Sequence, residues 1–226
     1  MNSNTQYRLS SNTDSRFAEI VEGKRIALIG PASYLSEIYM RERIETYDLI
    51  VRLNRDFPPN LKFYENVGAK TDIWYVVSKR LHQIQNNKLA DLILRHNMKS
   101  IVISFPNPSR CGDMKKRLSK HLVFRDIHFQ DYSTYHQVLN AKPATGNMAI
   151  LDLLSYDIKE LFIAGITFYR DGLYREGYAN DSDQKRVKNS QEKRHKPEKQ
   201  LEFMLKVFRE DARVNVEETM QKIIGM

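Results

Sequence analysis

The sequence predicts an α/β domain with a Rossmann-like, mostly parallel twisted sheet and helices on both faces. Short apolar runs alternate along the chain with segments of helical periodicity, which is the pattern of β-α-β units. Glycine, asparagine or proline follows several of these runs, as at the ligand-binding edge of such a sheet. A length of 226 residues fits one domain with a modest extension.

Apolar runs closed by turn residues predict the strands. Lys24-Arg-Ile-Ala-Leu-Ile-Gly30 ends on glycine, and the run before Asn54 ends on that asparagine. Prolines stop the run at Ser100–Phe105, because proline cannot donate to a strand ladder. The predicted strands are residues 24–30, 48–53, 71–77, 100–105, 123–129 and 161–167.

Helical spacing of apolar residues predicts the helices. Leu35, Ile38 and Ile44 fall near one face, Thr145 is a reasonable N-cap, and Pro197 suits a first helical turn. The predicted helices are residues 35–47, 79–96, 113–121, 145–156, 197–208 and 216–224. We predict loops at 55–65, which contains two prolines, and at 171–194, which is polar and expected to be mobile.

The ends of the chain and its single cysteine set further expectations. Residues 1–20 are predicted to be a disordered leader, and 21–226 a single domain. No apolar run approaches the roughly 18 residues of a membrane span, and no secretory signal is visible. Cys111 is the only cysteine, so no intrachain disulfide is expected and the thiol is interpreted as having no role. These features favour a cytoplasmic location.

The net charge of +8 is concentrated in residues 184–199. A basic segment of this kind binds nucleic acid, an anionic substrate or, peripherally, an anionic membrane surface. A solvated, mobile loop without a partner explains the same composition.

Four positions near predicted strand ends are candidates for a nucleotide site. Gly30-Pro-Ala-Ser33 could hold a phosphate or ribose through backbone amides and the Ser33 hydroxyl, although it is neither a dinucleotide fingerprint nor a P-loop. The Asn54 amide both donates and accepts, which suits a ribose or a pyrimidine edge. Thr145 and Gly146 open a helix whose N-terminus attracts anions, and Phe168 follows the last predicted strand.

His195 and a cluster of tyrosines are the remaining candidates. A histidine can act as a general base or bind phosphate, and the other histidines show no metal-ligand spacing. Tyr169, Tyr174 and Tyr178 could close over a phosphate and a sugar. Each of these residues also has an ordinary explanation, as a surface histidine or a flexible aromatic loop.

Three blocks of the chain resemble glycosyltransferase family 29, the eukaryotic-type sialyltransferases. The long motif is similar to Ile44-Glu-Thr-Tyr-Asp-Leu-Ile-Val-Arg-Leu-Asn54 followed by Val67-Gly-Ala-Lys-Thr-Asp72. The short motif is similar to Pro143-Ala-Thr-Gly146 and the strand at 161–165. The last motif, a histidine with a downstream glutamate, is matched by His195 with Glu198 or Glu202.

This resemblance implies a variant of the GT-A fold and a metal-free, inverting transfer of an acidic sugar from a CMP-sugar donor to a glycan or glycolipid. It implies that Asn54 and the Ser33 turn hold the cytidine monophosphate, and that Thr145 and Gly146 bind its ribose and phosphate region. It implies that His195 is the catalytic base or the leaving-phosphate contact, and Tyr174 matches the third motif.

The chain departs from the family pattern at several points. The asparagine of the first turn, the two motif cysteines and the membrane anchor are absent, and the histidine-to-glutamate spacing differs. We therefore expect a soluble relative whose donor sugar is sialic acid or a related keto-sugar. Two alternatives remain: a non-catalytic module that binds nucleotide or nucleic acid through residues 184–199, and a family member that binds donor without turnover.

Overall fold

The computed structural model describes residues 14–84, 86–105, 112–172, 174–178 and 193–226. These residues form one seven-stranded sheet of order β5-β4-β3-β2-β1-β6-β7, in which every neighbouring pair is parallel. The strands are β1 Arg25–Ile29, β2 Leu49–Leu53, β3 Ile73–Val77, β4 Ser100–Phe105, β5 Val123–Asp126, β6 Glu160–Ala164 and β7 Val214–Val216.

Helices connect consecutive strands. The α-helices are α1 Ser15–Val21, α2 Arg41–Glu45, α3 Tyr64–Val67, α4 Ser78–Leu81, α5 Asn86–Arg95, α6 Gly112–Leu118, α7 Phe129–Leu139, α8 Thr145–Leu154, α9 Pro197–Glu210 and α10 Glu218–Ile224. The described residues also form 3₁₀ turns at Ser33–Ser36, Asn54–Asp56 and Leu61–Phe63. None of the helices in the described ranges has the length and apolarity that a transmembrane span requires.

The order of the strands places a topological switch point between β1 and β6. The chain starts at β1, adds strands in one direction as far as β5, and then returns to β6 on the other side of β1. Ile29 of β1 pairs with Arg52 of β2 on one side and with Ala164 of β6 on the other. Connections leave β1 and β6 in opposite directions, so a crevice opens at their carboxyl ends.

The sheet is covered on both faces, as the sequence predicts. Trp74 and Val76 belong to one apolar cluster, whereas Tyr75 between them belongs to the other. Successive side chains of a strand point to opposite faces, so the two clusters lie on opposite sides of the sheet. All five residues of β2 are buried, which is typical of a parallel strand between two helical layers.

A buried carboxylate ties α8 to the sheet. Asp152 accepts hydrogen bonds from the Tyr75 hydroxyl at 2.6 Å and from both terminal nitrogens of Arg125 at 2.8 Å. The Arg125 guanidinium also lies over the Phe17 ring, 4.6 Å from its centroid. This cluster fixes the helix whose other end, at Thr145, reaches the crevice.

The described part of the predicted leader is folded, which corrects the expectation for residues 14–20. Asp14 caps α1 by accepting from the amides of Arg16 and Phe17, and Phe17 and Val21 are fully buried. Apolar side chains four residues apart share one helix face, and that signal outweighs the polar composition of the segment. Residues 1–13 and Cys111 lie outside the described residues.

Other boundaries also differ from the sequence predictions. The helix predicted at 35–47 is a 3₁₀ turn followed by the short helix α2, and the one predicted at 79–96 is divided into α4 and α5. Helix α7 and strand β7 were not predicted. β7 has only three residues and pairs at the sheet edge, so its sequence carries almost no periodicity.

We predict that Asp152→Asn lowers the free energy of unfolding by about 3 kcal/mol or more, because it leaves the buried Arg125 cation without its counter-charge. The matched control is Asp126→Asn, which breaks a partly exposed pair with Lys115 and should cost less than about 1 kcal/mol. Urea denaturation measures both. Equal losses in the two variants would contradict a structural role for the buried pair.

Candidate functional site

A pocket that is partly open to solvent lies at the switch point, with about 660 Å³ of empty space when the solvent-open part is included. Its walls come from the carboxyl ends of β2 and β6, the turn after β1, the start of α8 and the start of α9. The described lining includes no aspartate or glutamate. The pocket is therefore apolar and hydrogen-bonding in character, without a negative charge that would repel an anion.

Six of the eight candidate residues line this pocket: Asn54, Thr145, Gly146, Phe168, Tyr174 and His195. Gly30 and Ser33 do not line the pocket, and both make structural contacts next to it. A Cβ on Gly30 would lie 2.1 Å from the Gly165 carbonyl oxygen, so only glycine permits this approach of β1 to the turn after β6. The Ser33 hydroxyl donates to the Asp171 carboxylate at 2.9 Å.

Asn54 has a fixed orientation at the end of β2. Its side-chain oxygen accepts from the Val77 amide at 3.1 Å, and its side-chain nitrogen donates to the Thr145 hydroxyl at 3.1 Å. Its backbone carbonyl accepts from the Trp74 indole at 2.8 Å. The amide thus joins the ends of β2 and β3 to the start of α8.

The start of α8 differs from the prediction in one detail. The N-cap is Ala144, which makes no side-chain capping bond, so Thr145 occupies the first helical turn instead. The first turn of a helix presents backbone N–H groups without helical partners and a positive dipole end, which attract an anion. At Gly146 a Cβ would come within 3.1 Å of the Ile166 side chain, so the glycine keeps this helix close to β6.

His195 is held as a neutral base. Its Nδ1 lies 2.7 Å from the Lys142 carbonyl oxygen, and because a carbonyl only accepts, Nδ1 must carry the hydrogen and Nε2 the lone pair. Burial lowers the His195 pKa below 6.5, and the charges of Lys142 and Arg194 lower it further, against the opposing effect of the Lys142 carbonyl. The imidazole is therefore unprotonated at neutral pH.

The glutamates that the sequence pairs with His195 lie elsewhere. Glu198 is exposed and forms an ion pair with Arg170 at 2.7 Å, and Glu202 is exposed on α9. The residue that contacts the histidine backbone is Gln200, whose side-chain amide donates to the His195 carbonyl. Sequence reasoning missed Gln200, although Pro197 starts α9 and places Gln200 on the buried face of its first turn.

Three tyrosines form one wall of the pocket. The hydroxyls of Tyr169 and Tyr174 are 3.2 Å apart, and the Tyr174 and Tyr178 ring centroids are 4.5 Å apart. Burial raises the pKa of all three hydroxyls. They stay protonated at neutral pH. One of the Tyr169 and Tyr174 hydroxyls donates to the other, so at most two of the three hydroxyls are left to donate to a phosphate.

Buried contacts attach the first part of the loop that the sequence predicts to be mobile. Asp171 accepts from the hydroxyls of Ser33 and Thr167 and from the Tyr34 amide. The Arg175 amide donates to the Pro31 carbonyl at 2.9 Å. The described residues 171, 172 and 174–178 therefore pack against the segments that follow β1 and β6, and the rest of the predicted loop up to 192 lies outside the described residues. The mobility of the loop stays a prediction.

A buried charge cluster lies behind this wall. Asp56 pairs with Arg52 at 3.1 Å and also with Arg175, whose other terminal nitrogen donates to the Gly30 carbonyl at 3.1 Å. Burial lowers the pKa of each arginine to about 10, and the charge of Arg52 contributes at Arg175. Both remain cations at neutral pH, so two positive charges share one carboxylate and the cluster favours an anion nearby.

Backbone strain is concentrated around the same pocket. Asn54, Phe168, Tyr169 and Lys196 have φ values of 45°, 55°, 67° and 43°, in the left-handed region that non-glycine residues seldom adopt. Three of the four line the pocket, and Lys196 lies between lining residues. Strained backbone that surrounding contacts enforce is common at functional sites.

A second pocket, with about 530 Å³ of empty space when its solvent-open part is included, lies beside the first and shares Thr145 and His195 with it. Lys142 and the aromatic rings of Phe105 and Tyr132 also line it. These two rings pack edge to face with centroids 4.9 Å apart. His195 therefore lies at the boundary between the two pockets.

Solved structures of sialyltransferases share this fold, whereas no family model and no curated protein matches the chain. A mammalian sialyltransferase in complex with Gal-β-1-3GalNAc-ortho-nitrophenol is 16% identical, with a TM-score of 0.52 over 95% of this chain and 76% of that one. The Campylobacter jejuni sialyltransferase CstII with CMP-3FNeuAc is 18% identical, with a TM-score of 0.54 over 85% and 81%. A CstII variant in complex with CMP is 17% identical, with a TM-score of 0.57 over 90% of this chain and 86% of that one. Because the identities are this low, the comparison shows only that the chain shares a sialyltransferase-like fold.

We predict that Arg175→Met accelerates amide hydrogen exchange in residues 174–178 roughly tenfold to a hundredfold, the effect of losing about 1.5–3 kcal/mol of charged hydrogen bonding. The control is Arg170→Met, which removes an exposed pair with Glu198 and should leave these amides unchanged. Hydrogen exchange with mass spectrometry measures both variants. Unchanged exchange in Arg175→Met would show that the ion pair does not hold the wall.

Proposed function

We propose that the protein is a glycosyltransferase that transfers an acidic sugar, sialic acid or a related keto-sugar, from a CMP-sugar donor to a glycan or glycolipid acceptor. The observation that carries this proposal is the neutral His195, held on the Lys142 carbonyl at the boundary of two pockets. The sialyltransferase-like fold supports it, since solved neighbours bind CMP, a CMP-sugar analogue or a glycan.

The first pocket is proposed to hold the donor. Asn54 would hold the cytidine monophosphate, and the start of α8 at Thr145 and Gly146 would bind its ribose and phosphate region. The tyrosine hydroxyls would donate to the phosphate, and the excess charge of the Arg52, Asp56 and Arg175 cluster favours an anion at this end of the sheet. Phe168 contributes apolar surface to the same pocket.

The second pocket is proposed to hold the acceptor sugar. The Phe105 and Tyr132 rings offer apolar faces for the C–H surface of a sugar ring, and Lys142 offers a cation for an acidic group. In this arrangement an acceptor hydroxyl reaches His195 from one side while the donor occupies the other.

The proposed chemistry is a single displacement. Nε2 of His195 takes the proton of the acceptor hydroxyl, whose oxygen attacks the anomeric carbon of the donor. The bond from that carbon to the phosphate oxygen breaks, and cytidine monophosphate leaves with the electron pair. Hydrogen bonds from the tyrosines stabilise the charge that develops on the phosphate. Attack from the opposite face inverts the anomeric centre.

We extend the proposal to a reaction that uses no metal. Among the described residues no group of three histidines, cysteines or carboxylates could hold an ion, and the helix start and tyrosines supply hydrogen bonds to a phosphate. Transfer that persists in EDTA supports this part, and transfer that requires an added divalent cation overturns it. A cytoplasmic location and membrane binding through residues 184–199 stay predictions, and residues 184–192 lie outside the described ones.

We predict that the protein binds cytidine monophosphate more tightly than uridine or adenosine monophosphate. Asn54→Gly should weaken the binding of cytidine monophosphate about tenfold or more, because it removes the hydrogen bonds of the neutral side-chain amide. Glycine accepts the φ of 45° at this position without the strain that alanine would add. The matched control is Asn140→Gly, at an exposed asparagine with φ 43° outside both pockets.

Calorimetric titration separates the alternatives for this site. Equal binding of all three nucleotides, or unchanged affinity in Asn54→Gly, would contradict the donor site. Steeply salt-dependent binding to generic RNA or DNA would then favour the nucleic-acid-binding alternative. Selective binding without transfer to any tested acceptor would favour a protein that binds the donor without turnover.

We predict that kcat/KM for transfer falls as the pH drops, with a midpoint below 6.5. The sign follows from the lowered pKa of His195: the neutral base is present above that pKa and is lost by protonation below it. The pH profile of kcat/KM tests this, with His195→Gln expected to lose nearly all transfer and the exposed His121→Gln to keep the wild-type midpoint. A midpoint above 6.5 would contradict the assignment.

A further inference from the structure

We propose that Gln200 is a positioning residue that fixes the tautomer and orientation of His195 and locks it to the start of α8. This inference rests on the proposed function only for its effect on turnover. Its structural content concerns hydrogen bonds within the chain and can be measured without any substrate.

The Gln200 side chain is 1% exposed and uses both ends of its amide. Its nitrogen donates to the Lys142 carbonyl at 3.2 Å and to the His195 carbonyl. Its oxygen accepts from the Ala144 amide at 2.9 Å and from the Asn147 side chain at 2.6 Å. One buried amide thus joins the two segments that meet at the pocket.

The Lys142 carbonyl is the link between Gln200 and the imidazole. The same oxygen accepts from Nδ1 of His195 and from the Gln200 nitrogen, and the Lys142 amide in turn donates to the Arg194 carbonyl. A carbonyl held from two sides keeps its lone pairs in a fixed direction, which favours hydrogen on Nδ1. The lone pair then stays on Nε2, the nitrogen that a base needs.

Gln200 also fixes the backbone on the other side of the pocket. By accepting from Ala144, it satisfies an amide at the N-cap of α8, where no side chain of the helix itself serves. Asn147, which lines the pocket, is buried and bound to the same oxygen. Gln200 therefore adds a buried link between His195 and the Thr145 turn to the two bonds that Lys142 makes with Arg194 and His195, and this link needs no contact with substrate.

A glutamate at this position would have a different effect, since a carboxylate cannot donate to the two carbonyls that Gln200 holds. An apolar side chain of similar length would leave those carbonyls, and the Ala144 amide, without this partner. Gln200 is therefore matched to the task by having a donor and an acceptor on one short, rigid group.

The test compares Gln200→Met with the control Gln221→Met. Gln221 lies in α10, away from the pocket, and its side chain also donates to a backbone carbonyl, that of Val216. Nitrogen-15 NMR of the imidazoles reads the tautomer of His195 directly. We expect wild type and Gln221→Met to show the Nδ1–H form, and Gln200→Met to show a mixture of both neutral tautomers. An unchanged tautomer in folded Gln200→Met would overturn the proposal.

Two further measurements keep the outcome decisive. A wild-type spectrum with hydrogen on Nε2 of His195 would overturn the proposal whether or not the variant folds. If Gln200→Met does not fold, Gln200→Asn, whose side chain is one methylene shorter, replaces it in the test. With CMP-sugar and acceptor, Gln200→Met should lower kcat about tenfold to a hundredfold with a smaller change in the donor KM. Wild type without transfer would refute the proposed function, while the NMR result would still decide the role of Gln200.

Discussion

The pocket depends on one buried carboxylate, Asp56, which two arginines share. Arg52 belongs to β2 and also holds the chain at 67–70 through three backbone carbonyls. Arg175 belongs to the tyrosine wall and reaches the Gly30 carbonyl at the end of β1. Through Asp56, the middle of the sheet, the turn after β1 and the wall of the pocket become one unit. A buried ion pair of this kind adds little net stability but strongly disfavours alternative arrangements of the loop that would leave a charge unpaired.

The switch point explains why distant parts of the sequence meet here. β1 is flanked by β2 on one side and by β6 on the other, so residues near 30, 54 and 165 converge at one edge of the sheet. Two glycines make this convergence possible, since a Cβ on Gly30 or Gly165 would collide with the backbone of the other. The start of α8 then fills the space above the sheet, anchored from below by Asp152 and from the side by Asn54.

The sequence predicts six of the seven strands, and the pocket positions of Asn54 and Phe168, because these depend on local signals. Buried parallel strands are continuous apolar runs, and a residue that ends such a run lies at the ligand edge whatever the rest of the chain does. Gln200 and Arg175 could not be predicted in this way. Apart from His195, the side-chain partners of Gln200 lie 53 to 58 residues away, and those of Arg175 lie 119 to 145 residues away. Helix α1 was missed because its two buried apolar residues, Phe17 and Val21, follow a polar stretch that suggests disorder. Strand β7 was missed because three residues carry no period.

The charges around the pocket are an argument for the proposed small-molecule transferase and against a module that binds nucleic acid at this site. A module of that kind presents its cations to solvent, where they replace counterions along a phosphate backbone. In the described part of this chain, the cations Arg52 and Arg175 are almost fully buried behind a concave pocket. Their field acts on whatever occupies that pocket, together with tyrosine hydroxyls that burial keeps protonated and a histidine that burial keeps neutral. A concave site with hydrogen-bond donors for a leaving phosphate and a neutral base for an attacking hydroxyl suits group transfer, whereas binding a polyanion would require neither.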